Sequence, residues 1–343
     1  MKKMFCKKAF VVLLPIVVVV SIVNYCVDPA GIYHGEEYAD KIIFGLQKMK
    51  NVTNVDCCCN QRIFKKKYAE SCKNKHYNYL ILGSSRVLEI SENIIPAKLL
   101  NLGMFSSGIQ DIIAMHEICA ENKISYDTVI IGMDFYTLSY RNDARWKEID
   151  EYFYRFIKKN KLFHCNMEKI RNIFSVSYFQ QAINKKGGNV EYVDFWCSQN
   201  EGLTFHTDGS ACFPVSMRTR SEREVNHIAR NNKLEIQNIS SDNMEYMELL
   251  IKDLISRDIK IYFFFAPYHP IYYSRLKKDK NAVENERMLH TIAERFGIET
   301  IGAFDPEAGG FVSSDFYDAT HPKTETIDRI LKEYFADKEK ESN

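Results

Sequence analysis

Three short, mostly apolar runs, each ended by a glycine, constrain the fold of this chain more than any other feature. The runs, with the glycine that follows each, are residues 77–82 with Gly83, residues 99–102 with Gly103, and residues 128–131 with Gly132. Continuous apolar runs of this length are typical of strands that are buried on both faces of a sheet. Residues 109–120, between the second and third runs, carry apolar side chains at helical spacing. The pattern therefore predicts strands and helices in alternation.

The same alternation returns towards the C-terminus. The helical pattern occupies residues 244–255, 285–296 and 324–335, and the strand pattern occupies residues 259–265 and 299–301. Strands that alternate with helices of this length form a mostly parallel sheet with helices on both faces. We therefore predict an α/β domain over residues 77–343. An aromatic-rich stretch at about 139–242 interrupts it, and we predict that this insertion covers the carboxyl edge of the sheet, where open α/β folds bind ligands.

The N-terminus has the features of a membrane anchor. Residues 10–27 contain no charged side chain, and all four preceding charges are lysines. At about 1.5 Å per helical residue, this stretch is just long enough to cross a hydrocarbon core of about 30 Å. Lysines on its N-terminal side predict a cytoplasmic N-terminus and an exported remainder. Because no small-residue cleavage site follows, residues 1–27 are expected to be an uncleaved single-pass anchor in the plasma membrane, rather than a signal peptide or a core helix.

Residues 28–76 have few long apolar runs and many lysines and turn formers, which predicts an irregular juxtamembrane stalk. The chain has 10 cysteines, and an oxidising compartment would permit disulfides. The sequence does not show which cysteines would pair. One interpretation is that disulfides among Cys57 to Cys59 and Cys72 staple the stalk, which means that they cross-link it, and the alternative is that these residues stay thiols. No C-x-x-C pair exists, which disfavours a zinc or thioredoxin-like site.

The charge balance argues against a nucleic-acid partner. With 46 Lys and Arg against 45 Asp and Glu, the chain lacks the basic excess that neutralises a phosphate backbone. A nucleotide-binding α/β domain is also disfavoured, because the turn from Gly83 to Arg86 has neither the glycine spacing nor the lysine of a phosphate-cradling loop.

Two separate segments carry residues suited to nucleophilic chemistry. Ser84 and Ser85 directly follow the first predicted strand, while Asp318 stands three residues before His321, ahead of the last helix. An aspartate at this spacing can accept from one ring nitrogen of the histidine while the other faces a serine hydroxyl. Both segments should reach the same edge of the sheet. The alternative is that either serine only caps the following helix.

These segments resemble the SGNH/GDSL hydrolase superfamily, which has four blocks: a nucleophile serine after the first strand, a glycine, an asparagine, and a late Asp-x-x-His. The corresponding segments here are Gly83 to Ser85, residues 101–108, Gly132 to Asp134, and Asp318 to His321. The Gly-Ser-Ser variant with an N-terminal anchor is most similar to the branch that contains the D-alanyl transfer protein of teichoic acid synthesis and the alginate-type O-acetyltransferases. The resemblance covers about residues 77–138 and 243–336, plus the anchor, and implies a flavodoxin-like, three-layer SGNH fold.

The resemblance also implies roles for individual residues. Ser85 would be the nucleophile, with Ser84 as its competitor, His321 the base and Asp318 its orienting partner. The backbone N–H groups of Ser85 and Gly108 would form the oxyanion hole. Neither a cofactor nor a metal is expected.

The implied activity is that of a membrane-anchored, extracytoplasmic serine O-acyltransferase or carbohydrate esterase. It would act through an acyl-enzyme on O-acyl groups of a cell-surface glycan. The expected partners are a cell-surface polysaccharide or teichoic-acid-like acceptor and a membrane-bound O-acyltransferase. The alternative function is a non-catalytic component of such a system, which binds the glycan or docks the acyltransferase.

One position departs from the family pattern. Asp134 stands where the family has an asparagine that donates to the oxyanion, and an ionised carboxylate has no donor. Arg86 is the candidate cation for this carboxylate, so we predict an Arg86–Asp134 pair; the alternatives are a protonated Asp134, or a solvated Asp134 with Arg86 as a surface charge. His269, in the loop after the fourth buried strand, is a candidate substrate contact, with a packed loop residue as the alternative.

Overall fold

The computed structural model describes residues 2–28, 33–57, 59–139, 145–158, 167–184 and 190–341. The helices are α1 Lys2–Val27, α2 Gly35–Gln47, α3 Gln61–Ser71, α4 Ile109–Glu121, α5 Asp150–Phe156, α6 Met167–Ile173, α7 Val176–Asn184, α8 Val215–Arg218, α9 Glu222–Asn231, α10 Ser241–Ser256, α11 Pro270–Leu276, α12 Lys280–Phe296 and α13 Thr324–Glu341. The strands are β1 Asn51–Val55, β2 His76–Leu82, β3 Leu99–Asn101, β4 Ser125–Gly132, β5 Glu191–Val193, β6 Leu203–Phe205, β7 Ala211–Cys212, β8 Lys260–Phe265 and β9 Glu299–Gly302.

The central sheet has five parallel strands in the order β3-β2-β4-β8-β9. Alternate side chains of one strand enter different cores: Leu80 and Leu82 join the core that includes α4, α10 and α12, whereas Ile81 joins the core that includes α13. Helices therefore cover both faces, which is why the strands read as unbroken apolar runs. The predicted α/β fold with a mostly parallel sheet is confirmed.

Gly83 shows why a glycine ends the first strand of this sheet. Its φ is +141°, and a Cβ built on it would lie 3.0 Å from the Cα of Gly132. Only a residue without a side chain fits this conformation and this close approach between the ends of β2 and β4. The two glycines together bring the carboxyl ends of neighbouring strands close to each other.

The segment 28–76 differs from the predicted irregular stalk, because it contains α2, β1 and α3. Ile42 of α2 and Phe64 of α3 are buried in the same core as the helices of the main sheet. Strand β1 pairs antiparallel with β5 and β6 of the insertion, in a second sheet ordered β5-β1-β6-β7. The local pattern could not reveal this, since the partners of β1 lie about 140 residues further along the chain.

The insertion returns close to the point where it leaves the main sheet. Ser139 and Ile239 form an isolated antiparallel bridge, and the Ser139 hydroxyl donates to the carbonyl of Gln237 at 3.0 Å. The insertion also contains a disulfide between Cys197 and Cys212. The proposed staple through Cys72 is not found, because Cys72 is buried without a disulfide, and Cys58 lies outside the described residues.

Helix α1 covers the predicted anchor, residues 10–27. The side chains of residues 2–12 lie outside the description. In the part of the chain that is described, no helix combines the length and the apolar character needed to cross a membrane.

Candidate active site

Ser84 and Ser85 have different surroundings at the turn after β2. Ser84 is the N-cap of a short 3₁₀ turn, Ser85–Val87, and its buried hydroxyl accepts from the backbone N–H of Arg86 at 3.3 Å. Ser85 is half-buried, and its hydroxyl lies 2.8 Å from Nε2 of His321. The capping role falls to Ser84, which leaves the Ser85 hydroxyl facing the histidine.

His321 connects Ser85 to Asp318 through its two ring nitrogens. Nδ1 of His321 lies 2.9 Å from Oδ2 and 3.0 Å from Oδ1 of Asp318. Since an ionised carboxylate can only accept, Nδ1 carries the proton and Nε2 accepts from the Ser85 hydroxyl. The chain Ser85–His321–Asp318, in which the serine is 236 residues from the histidine in sequence, has the geometry of an activated hydroxyl.

The loop that holds Asp318 keeps its carboxylate ionised. Burial alone would raise the pKa of Asp318, but His321 and the backbone N–H groups of Thr320 and His321 hold that pKa well below its ordinary value. The two N–H groups donate to Oδ1 at 2.8 Å and 2.9 Å. Arg220 of the insertion adds a cation, with Nη1 3.8 Å from Oδ2. Asp318 therefore remains an acceptor that fixes the tautomer of His321.

Arg86 and Asp134 form a buried ion pair next to this chain. Nη1 of Arg86 lies 3.0 Å from Oδ1 of Asp134, and their side chains are 4% and 2% exposed. Arg86 also donates to the carbonyl oxygens of Ala266 and Pro267, and the Tyr268 ring stacks 3.4 Å from its guanidinium carbon. The Tyr268 hydroxyl donates to Asp134 at 3.2 Å. The pair predicted from sequence is present, and neither residue is a solvated surface charge.

The oxyanion hole predicted from Gly108 requires a correction. The backbone N–H of Gly108 donates to Oδ2 of Asp111 at 3.0 Å, at the start of α4. Asp111 is itself held by the buried guanidinium of Arg62 at 2.9 Å and 3.0 Å. The N–H of Gly108 is therefore engaged. An acidic residue three positions into a helix was the sequence signal for this capping arrangement.

Two other N–H groups near Ser85 remain as donors. Among the described residues, the backbone N–H of Ser85 has no acceptor, and the buried Nε of Arg86 has no hydrogen-bond partner. A buried donor without a partner costs free energy, so it is a candidate for contact with a substrate oxygen.

The structure also corrects the prediction for His269. Its ring is fully buried, and Nδ1 accepts from the N–H of Ile271 at 3.2 Å, so that it caps α11. Burial lowers its pKa to about 4 against the opposing effect of Asp318. His269 does not line the cavity at Ser85 and acts as a neutral structural cap.

A cavity of about 210 Å³ opens beside Ser85 and His321. Arg86, Asp134 and Thr320 complete its polar end. Its largely apolar wall combines residues from separate parts of the chain: Phe135, Tyr136, Ile236, Tyr268, Tyr272 and Leu276. Ser106, in the left-handed region with a φ of +52°, also lines it. Ile236 and Tyr272 could not be recognised from the sequence, because the end of the insertion and α11 meet only in the folded chain.

Glu89 connects the turn that carries Ser85 to the loop that carries Asp318 and His321. It was not recognised from the sequence. Its carboxyl oxygen Oε1 accepts from the Thr324 hydroxyl at 2.8 Å and from the Tyr317 hydroxyl at 3.3 Å. Burial raises the pKa of Glu89 to about 8. Tyr317 in turn donates its backbone N–H to the carbonyl of His321 at 2.9 Å. Glu89 thus ties the strand-to-helix turn that carries Ser85 to the loop that carries His321.

The described residues contain no group of three or more His, Cys, Asp or Glu side chains arranged to hold a metal ion. Comparison with protein families finds no family model that matches the chain, and no curated protein matches it significantly.

Proposed function

We propose that this protein is a membrane-anchored, extracytoplasmic serine acyltransferase or esterase that acts on O-acyl groups of a cell-surface glycan. The observation that carries the proposal is the hydrogen-bonded chain Ser85–His321–Asp318 at the mouth of a cavity. A protein that only binds its ligand has no chemical need for a serine, a histidine and an ionised aspartate in this order.

The first half-reaction transfers the acyl group to Ser85. The Ser85 hydroxyl oxygen attacks the acyl carbonyl carbon, and its proton passes to Nε2 of His321. The bond between the carbonyl carbon and the leaving oxygen then breaks, and the leaving alcohol takes that proton from His321. The product is an ester of Ser85, with Asp318 stabilising the imidazolium while it exists.

The second half-reaction releases the acyl group. A sugar hydroxyl or water attacks the Ser85 ester, with His321 first accepting its proton and then returning it to the serine oxygen. Transfer is favoured over hydrolysis when water is kept from the acyl-enzyme. Ile236 of the insertion closes part of the cavity, and the aromatic wall offers faces on which a sugar ring can stack.

The N–H of Ser85 and the Nε–H of Arg86 are the donors proposed for the oxyanion. Asp134 cannot donate, but its charge is compensated by Arg86, so the repulsion that a lone carboxylate would exert is reduced. The anchor part of the proposal rests on the uncharged residues 10–27 and the lysines before them. Partners consistent with this location are a cell-surface polysaccharide or teichoic-acid-like acceptor and a membrane-bound O-acyltransferase.

One observation favours the second candidate function, a non-catalytic component that binds the glycan or docks an acyltransferase. Asp134 replaces the family's asparagine, and the N–H of Gly108 is occupied by Asp111. Two of the usual oxyanion donors are therefore lacking, and the cavity would then hold an acylated sugar without reacting with it.

An acyl-release and acyl-transfer assay separates the two functions. The full-length chain in detergent is incubated with 4-nitrophenyl acetate, and separately with O-acetylated oligosaccharides and unmodified acceptors. Nitrophenol is followed by absorbance, and acyl gain or loss on the sugars by mass spectrometry. We expect activity in the wild type and in Ser84→Ala but not in Ser85→Ala. Activity that survives Ser85→Ala would overturn Ser85 as the nucleophile, and absence of activity from all three well-folded proteins would favour the non-catalytic component.

A further inference from the structure

Helices α6 and α7 of the insertion form an apolar surface that the rest of the described chain leaves uncovered. Ile170, Phe174, Val176 and Ile183 are 51%, 57%, 64% and 63% exposed. We call these four side chains the α6–α7 patch. Exposed apolar side chains grouped on two successive helices and the turn between them, rather than scattered singly, mark an interaction surface.

The opposite side of α7 is occupied. Tyr178 and Ala182 are buried, and the Tyr178 hydroxyl donates to Oδ1 of Asp28 at 2.6 Å. Val176 and Ile183, seven residues apart, lie on one face of the helix, which is the face that remains open. The α6–α7 patch is therefore additional to the packing that holds α7 in place.

A buried side chain of α1 holds the turn between α6 and α7. Nδ2 of Asn24 donates to the carbonyl oxygens of Asn172, Ile173 and Ser175, at 3.0 Å, 2.9 Å and 3.0 Å. Asn24 is fully buried, and it lies near the C-terminal end of the uncharged stretch 10–27. The junction between α6 and α7 thus sits at the level where α1 would leave a bilayer.

Helix α1 also exposes apolar side chains on the N-terminal side of Asn24. Leu13, Ile16, Val17 and Ile22 are each more than 40% exposed, and Val17 lies about 10 Å along the helix axis from Asn24. An interfacial helix places its apolar side chains about 5–10 Å into the boundary between headgroups and acyl chains. Asn24 lies close to the point where α1 would leave the bilayer, so a helix pair attached there is positioned at the boundary between headgroups and acyl chains.

The charges that flank the patch in the sequence are mostly basic. The stretch 172–184 has no charged residue, and the charges nearest to it in the sequence are Glu168, Lys169 and Arg171 before it and Lys185 and Lys186 after it. Basic residues beside an apolar helical face are the arrangement that binds anionic lipid surfaces.

We infer that α6 and α7 are a second membrane contact: an interfacial helix pair that inserts the α6–α7 patch into the outer leaflet beside α1. The occupant of the patch is the lipid bilayer, with a preference for anionic headgroups. The inference rests on the anchor in the proposed function. It goes beyond that anchor, because a helix alone would leave the domain free to tilt, whereas two contacts fix how the cavity faces the membrane surface.

The test uses tryptophan quenching in the full-length chain reconstituted into vesicles of phosphatidylcholine and phosphatidylglycerol. Phe174→Trp places a reporter in the patch, and Val312→Trp is the matched control, because Val312 is 58% exposed against 57% for Phe174 but belongs to the loop before the last helix. Lipids brominated at different depths quench the reporter, and the signal of the two native tryptophans, measured in the wild type, is subtracted.

We expect quenching of Phe174→Trp to be several-fold greater than that of Val312→Trp, strongest with shallow bromines, and to rise with the phosphatidylglycerol content. Carbonate extraction of the same vesicles reports the anchor separately. Equal, weak quenching of both variants in protein that resists extraction overturns the interfacial contact but leaves the anchor intact. Protein that is freed by extraction overturns both. Burial of the reporter that depends on protein concentration rather than on lipid would assign the patch to a second copy of the chain and also overturn the inference.

Discussion

The guanidinium of Arg86 and the carboxylate of Asp134 lie 3.0 Å apart in a buried site next to Ser85. This relationship explains how a carboxylate is tolerated at the position that corresponds, in the proposed resemblance, to the neutral amide of the SGNH pattern. Tyr268 supports both partners, by stacking on Arg86 and by donating to Asp134. The two charges are therefore best treated as one unit.

Removal of one member of this pair is expected to destabilise the protein strongly. Arg86→Met leaves the Asp134 carboxylate buried without a cation, which costs about 3–5 kcal/mol. The double variant Arg86→Met with Asp134→Leu removes both charges and should recover much of that loss. Urea unfolding of the full-length variants measures the difference.

The exposed pair Lys50–Asp194, with side chains 44% and 79% exposed, provides the control. Lys50→Met should change the free energy of unfolding by less than about 1 kcal/mol. If the double variant at Arg86 and Asp134 were as unstable as the sum of its two single variants, the pair would not be energetically coupled.

Asp318→Asn should reduce turnover by about 10³–10⁴-fold while the fold is retained. An amide can donate to Nδ1 of His321, which would place the ring proton on Nε2. A protonated Nε2 cannot accept the proton of the Ser85 hydroxyl. The rate is measured with 4-nitrophenyl acetate. Asp315→Asn is the matched control, because Asp315 caps a surface turn by accepting from the N–H of Val312 at 2.8 Å. Equal rates in the two variants would remove Asp318 from the mechanism.

Glu89 is expected to make stability depend on pH between about 4.5 and about 8. Burial raises the pKa of Glu89 to about 8, whereas in the unfolded chain it ionises near its ordinary value of about 4.5. Because the folded state holds the proton more tightly, the Glu89 contribution to stability is present at low pH and is lost as the pH rises through this window. Glu325 opposes ionisation of Glu89, and Arg218 favours it.

Glu89→Gln tests this dependence, because a glutamine keeps the acceptor for Thr324 but does not titrate. The free energy of unfolding of this variant, relative to the wild type, should increase between pH 5 and pH 8. The comparison cancels the contributions of other buried titratable groups. Glu92→Gln, at an exposed position, should show no such increase. A flat difference for both variants would place the titration elsewhere.

The disulfide Cys197–Cys212 should contribute about 3 kcal/mol to stability, since it closes a loop with a sequence separation of 15. The double variant Cys197→Ser with Cys212→Ser is expected to lose that amount in urea unfolding under oxidising conditions. With reductant present, the wild type should approach the variant. The exposed Cys26→Ser serves as the control: it keeps the disulfide, so it should match the wild type both with and without reductant.

The same disulfide provides a test of the location. Disulfides of this kind persist in oxidising compartments. Alkylation of the protein directly in cells, followed by mass measurement, should find Cys197 and Cys212 unmodified unless reductant is added first. Full alkylation of both without reductant would argue against an exported domain.

The parts of the molecule that depend on local patterns could be predicted from the sequence. The strands of the main sheet are short apolar runs because both faces are buried, and Gly83 follows β2 because its conformation excludes a side chain. Ser85 could be recognised because it directly follows a predicted strand. Asp318 and His321 could be recognised because they come just before a predicted helix. Their contact then results from parallel strands ending at one edge of the sheet.

The parts that depend on distant pairing could not be predicted in this way. Strand β1 is recognisable only from its partners β5 and β6, and the residues around it look like a hydrophilic stalk. Lys65 shows why that impression was misleading. It is fully buried, with Nζ donating to the carbonyl oxygens of Asn101 and Gly209 at 2.9 Å and 2.6 Å. A lysine in the sequence does not show whether its amine will be satisfied by solvent or by backbone.

The central claim is that Ser85 is an activated nucleophile, and covalent labelling tests it most directly. The full-length chain in detergent is treated with a serine-directed fluorophosphonate, and the wild type, Ser85→Ala, Ser84→Ala and His321→Ala are compared by intact mass. We predict one added label in the wild type and in Ser84→Ala, and none in Ser85→Ala or His321→Ala. Labelling that persists in Ser85→Ala, or its absence from folded wild-type protein, would contradict the account.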